Sequence, residues 1–176
     1  MGSEMGHTGM GCLDREHFEF EQFVRGKFDL ASTDIVPSEF CFCGIGLPFL
    51  YEFYLRKEGG WVNSNSGLSS QEVLSSIETN PNARKTYERF LQLLGTSLMT
   101  ASGAFLPDEG IVIYGHMVRE VLPVLLKDVA DPQNSIFLRA FENNSCLNNY
   151  LKTIPIFFSG ENELSLKGCY NYLLNK

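Results

Sequence analysis

Gly110-Ile111-Val112-Ile113-Tyr114-Gly115-His116 decides the fold. Ile111 to Tyr114 reads as a strand with no polar alternation between two glycines, which predicts a central strand covered on both faces. Gly115 ends it, and a helical stretch follows to about Lys127, with Pro123 either breaking it or starting a second piece. Residues 154–158 read as another buried strand, and residues 39–44 (EFCFCG) as a third, closed by a glycine turn. Strands interleaved with helices indicate an α/β layered fold. The expectation is a single domain over 1–176, with a short mixed sheet of three to four strands flanked by many helices.

The helices carry their own signatures. Phe20, Phe23, Val24 and Phe28 recur at three- and four-residue spacing behind Asp14, an N-cap for an amphipathic helix on which His17 is expected to face solvent. Leu47, Leu50, Tyr51, Tyr54 and Leu55 share one side of a helix over 47–57 that ends at Gly59-Gly60. Ser69 and Glu72 form a capping box opening a helix to about Thr79. Asn80-Pro81 then starts the longest helix, to about Phe105, where Gly95, Ser102, Gly103 and Ala104 let a neighbour approach closely. Short helices are expected over 135–143 and 147–152, and a terminal one over 164–174.

Composition narrows the function classes. A net charge of −7 lacks the clustered Lys and Arg of a nucleic-acid surface. It leaves nucleotides open, because glycine turns and helix N-termini bind phosphate without net positive charge. Hydrophobic residues at 44% include no run long enough for a membrane helix. Five cysteines without paired spacing favour reduced thiols and a cytoplasmic location. His7, Cys12 and His17 at five-residue intervals fit no usual zinc pair, so no tightly bound metal is expected.

Two polar islands carry the chemistry: Glu4-Met5-Gly6-His7, and Glu39 at the mouth of Phe40-Cys41-Phe42-Cys43-Gly44-Ile45-Gly46. Carboxylates accept hydrogen bonds from sugar hydroxyls, and a neutral imidazole both accepts and donates, so these residues suit a polyhydroxylated ligand. The bland alternatives are a solvated acid near a terminus for Glu4, a tight turn for Gly44 and Gly46, and buried thiols for Cys41 and Cys43.

From Glu4 onward the sequence resembles the C-terminal part of the ATP-dependent glucokinases of the bacterial and protist type, within the actin-like, ribonuclease H-like ATPase superfamily. Glu4-Met5-Gly6-His7 is similar to the family's Glu-Gly-Gly-His. Glu39 followed by Cys43-Gly44-Ile45-Gly46-Leu47 is similar to its sugar-binding Glu before Ser-Gly-x-Gly-Leu. Residues 110–115 resemble Gly-Val-x-Ile-x-Gly-Gly on the adenosine side, and Phe137 to Glu142 with Ile154-Pro155-Ile156 resembles Phe-x-x-Ala-Phe and Ile-Pro-Val.

The resemblance implies glucose binding by Glu4, His7 and Glu39, and nucleotide binding at Gly44, Gly46, Gly115 and His116. It implies ATP with Mg2+ as phosphoryl donor, a homodimer, and a place in carbohydrate phosphorylation and glycolysis. Three departures accompany it. His116 stands for the second adenosine-side glycine, where it either tops the helix beside the nucleotide or fills the space a nucleotide would occupy, and Cys43 stands for the serine. The family's Asp-x-Gly-Thr, and the Asn-Asp that supplies its catalytic aspartate, have no counterpart among these 176 residues. The expectation is a large-lobe portion of a hexose kinase with no catalytic residue of its own, inactive alone. The alternatives are a non-catalytic sugar-binding regulator and an oligomerisation module.

Overall fold

A computed structural model describes residues 13–42, 45–60, 68–161 and 167. It divides into two compact units, residues 1–94 and 95–176.

In the first unit, α1 (Arg15–Phe28) starts at Asp14, whose carboxylate accepts from the His17 amide at 2.8 Å. A second helix of one turn, α2 (Glu39–Phe42), precedes α3 (Gly46–Lys57). The Ser69–Glu72 capping box forms as expected at the head of α4 (Ser70–Ser75). The long α5 (Pro81–Phe105) follows, its residues to Leu94 belonging to this unit and the rest to the second, with the Asn80 side chain accepting from the Asn82 and Ala83 amides. Tyr51, Val73 and Ala83 pack as a small core with Leu55 against them.

The expected strand over 39–44 is replaced by α2. Short apolar runs do not distinguish strand from helix by period, and here the turn at Pro37-Ser38 accepts from the Phe40 and Cys41 amides, winding the chain into a helical turn. Cys43 and Gly44 lie outside the described residues.

The second unit holds β1 (Ile111–Tyr114) and β2 (Ile156–Ser159), paired in parallel with Ile111 opposite Ile156. Parallel neighbours need a long crossover, supplied by α6 (His116–Val129), α7 (Ile136–Phe141) and α8 (Asn148–Leu151). Pro123 lies within α6, which runs unbroken past it. The Asp128 carboxylate accepts from the Ser135 hydroxyl and from the Ile136 and Phe137 amides, which fixes the start of α7.

At Gly95, an added Cβ would lie 2.5 Å from the Phe137 carbonyl oxygen, so the small residue does permit the close approach expected there. Phe141, Leu151 and Ile154 form the local core, with Ile111 and Ile156 packed on it. Two strands are found among the described residues. Their other face is open, with Val112 51% and Phe157 53% exposed. Coverage on both faces is therefore not met among the described residues, whose helices in this unit pack on the Ile111–Ile156 side. Among the described residues no helix is long and apolar enough to cross a membrane.

Candidate functional site

The structure brings Glu39 and Gly46 to one junction in the first unit, and Gly115 and His116 to one turn in the second. Glu4, His7 and Gly44 lie outside the described residues.

Glu39 is the half-buried first residue of α2. A single helical turn has too few internal bonds to hold itself, so the residues beside Glu39 determine where its turn sits. Phe40 enters a ring cluster, 5.0 Å from Phe28 and 5.9 Å from Phe49 between centroids. Cys41 is completely buried. Its sulfur lies 4.0 Å from His17 Nε2.

Gly46 closes the third side. A Cβ there would sit 2.5 Å from the Cys41 carbonyl oxygen and 3.0 Å from that of Phe40, so only glycine lets α3 begin against the end of α2. Three neighbours thus hold the turn that carries Glu39, whose carboxylate is of a type suited to accept from hydroxyl groups.

Behind α2 lies an arrangement the sequence did not suggest. His17 is 5% exposed, which corrects the solvated position expected for it. The Leu13 amide donates to Nδ1 at 3.3 Å, so Nε2 carries the proton and points at the thiol. Burial, followed by the Arg89 charge, holds the His17 pKa below the ordinary histidine value. Burial pushes the Cys41 thiol up to about 12.

Arg89 is itself buried and grips Asp14 with both terminal nitrogens, at 2.6 and 2.9 Å. That hydrogen bond is the main reason the Asp14 pKa lies below its ordinary value. Tyr54 donates to Glu16 at 2.9 Å, so α1, α3 and α5 meet around His17 through polar contacts. The available signal was the spacing of His17, Phe20 and Val24, which shares the apolar face of α1.

The second junction is built differently. Gly115 caps α6 with φ 123° and ψ 176°, a backbone that side chains strain to adopt, and no side chain caps the helix. A Cβ there would meet nothing within 4 Å. The His116 side chain is 65% exposed and lies along α6, with Nδ1 3.2 Å from an Arg119 nitrogen and Nε2 3.2 Å from Glu120. Elsewhere in this unit a cleft of about 370 Å³ is lined chiefly by apolar side chains, with Glu142 and Lys152 among them.

A family model described as Glucokinase matches residues 1–176. Comparison with curated proteins finds no match. Among solved structures, the glucokinase of an Antarctic psychrotroph is similar over 100% of this chain and 51% of its own, at TM-score 0.79 and 19% identity. The glucokinase of Balamuthia mandrillaris in complex with glucose is similar over 92% of this chain and 43% of its own, at TM-score 0.74 and 15% identity. The chain spans about half the length of these structures.

Proposed function

The chain belongs to the glucokinase family, and from that membership we propose that it forms the acceptor-holding part of an ATP-dependent hexose kinase with glucose as the preferred acceptor. Glu39 binds sugar hydroxyls, joined by Glu4 and His7 from the first polar island. The observation that carries this is the clamping of Glu39's turn by the Phe40 ring cluster, the His17–Cys41 contact and the crowding at Gly46. A carboxylate carried on a turn that is held before the ligand arrives loses less freedom on binding than one on a loose segment.

ATP enters as its magnesium complex, a substrate, and the resemblance supplies Gly44, Gly46, Gly115 and His116 as the residues that would contact it. In-line phosphoryl transfer needs the acceptor oxygen held, the phosphate charge neutralised and the hydroxyl proton accepted. This chain supplies the first requirement. The base belongs to the portion of an actin-like, ribonuclease H-like kinase that has no counterpart in these residues. The assembled enzyme would be a cytoplasmic homodimer acting in glycolysis.

Two measurements test the assignment. Removing one partner of a charge-assisted contact costs about 1.5–3 kcal/mol, so Glu39→Gln should weaken glucose binding at least about tenfold in calorimetry. Equal affinities for the two proteins would remove Glu39 from the site. A coupled glucose 6-phosphate assay on this chain with Mg–ATP should show no turnover. A rate near about one per second, ordinary for kinases, would place a base within these residues.

A further inference from the structure

α2 is a single turn, entered by the Phe40 amide donating to the Pro37 carbonyl and the Cys41 amide to that of Ser38. Its place in the unit is therefore set by side chains. Cys41 points inward and meets the His17 ring edge, which its other nitrogen locks to the Leu13 amide. We propose that His17 is a positioning residue for Glu39, acting through Cys41 on the one-turn helix that carries the carboxylate. This rests on the assignment of Glu39 to the sugar.

The groups around the ring make its neutral form part of the arrangement. Asp14 and Glu21 approach from α1 and its cap, Arg89 from α5, and Cys41 from α2. Glu16 of α1 is occupied by Tyr54 of α3 and by Arg89. Protonating the ring would set a new N–H at Nδ1 against the Leu13 N–H, donor facing donor. It would also place a cation near the buried Arg89 guanidinium. Both effects displace the ring from the seat that Cys41 shares.

The pH sign follows. Burial keeps the folded His17 pKa below its ordinary 6.5, so the contribution of the neutral ring is present above pH 6.5 and is lost as pH falls through the lower folded value. Free carboxylates titrate near pH 4, well below the upper part of this window.

The test pairs glucose titration with amide-exchange protection at Phe40 and Cys41, both followed from about pH 7 to about pH 5. In the unaltered chain, affinity should fall roughly three- to tenfold as pH drops, the scale of one or two lost hydrogen bonds, and protection should fall with it. His17→Gln offers an uncharged acceptor and donor at every pH. It should retain neutral-pH affinity within about threefold and flatten both profiles.

Profiles in His17→Gln that still match those of the unaltered chain would overturn the proposal. If that variant does not fold, Cys41→Ala keeps the imidazole and removes its contact. Protection of α2 should then cease to follow the His17 titration seen by NMR, and continued coupling would overturn the proposal. If the unaltered chain binds no glucose at any pH, the sugar assignment of Glu39 falls, while the exchange profiles still decide whether His17 positions α2.

Discussion

Gly46 and Gly115 each stand at the start of a helix, and they are glycine for different reasons. Gly46 begins α3 with backbone atoms of α2 where its Cβ would be, the nearest at 2.5 Å. Gly115 caps α6 in open space, but at φ 123°. The first is required by crowding and the second by conformation. The side chains beside them follow the same division. Glu39 is half-buried on a turn gripped from three directions, whereas His116 lies along the outside of its own helix. A corner closed by packing is shaped before any ligand arrives. A turn with open space around it leaves its backbone approachable.

Alanine at each position separates the two cases and gives the largest expected effect. In Gly46→Ala the obstructing atoms are backbone carbonyls, which cannot swing aside as a side chain can. The α2–α3 junction must shift, at a cost of about 3 kcal/mol, and glucose affinity should fall with it because Glu39 lies on the displaced turn. Gly115→Ala adds no clash and should cost about 1–2 kcal/mol from backbone strain, leaving glucose affinity unchanged. Urea denaturation midpoints with glucose titrations check the pair. Equal destabilisation would mean that the α2–α3 junction relaxes and that the closed corner is not closed.

Much of this architecture was legible where a local rule sufficed. The Asp14 cap, the Ser69–Glu72 capping box and the Asn80-Pro81 start of α5 are decided by neighbours within a few residues, and all form. What failed depended on distant partners. Phe40-Cys41-Phe42 has the composition of a buried strand, and only its surroundings make it a helical turn. Ile111 to Tyr114 is apolar throughout, yet Val112 and Tyr114 lie on an uncovered face, because burial depends on what packs there.

The site divides in the same way. Glu39 is proposed from the residues that follow it in sequence, and Gly46 from the glycine turn it belongs to. The support behind Glu39 was not, since Cys41 reaches back 24 positions to His17 and Arg89 reaches back 75 to Asp14. His17 could have been placed by its register with Phe20 and Val24, had its polarity not argued against burial. A tautomer that presents one acceptor and one donor removes that objection, because both ring nitrogens then have neighbours inside the fold.

His116 occupies the first position of α6, and its ring spans Arg119 and Glu120 on the surface. Exposed pairs of this kind contribute little to stability, and glycine in place of histidine costs the helix at most about 1 kcal/mol. His116→Gly should therefore fold. The resemblance puts a glycine at this position, so removing the side chain should let a nucleotide come closer, and ATP affinity should rise by a few-fold, on the order of 1 kcal/mol. Glucose affinity should stay as it is, since the turn of Glu39 is held by Phe28, Phe49, His17 and Gly46. Titration of both proteins with Mg–ATP decides the matter. An unchanged or weaker affinity would place the nucleotide away from His116 and leave the open turn at Gly115 to the conformational need of β1 and α6 alone.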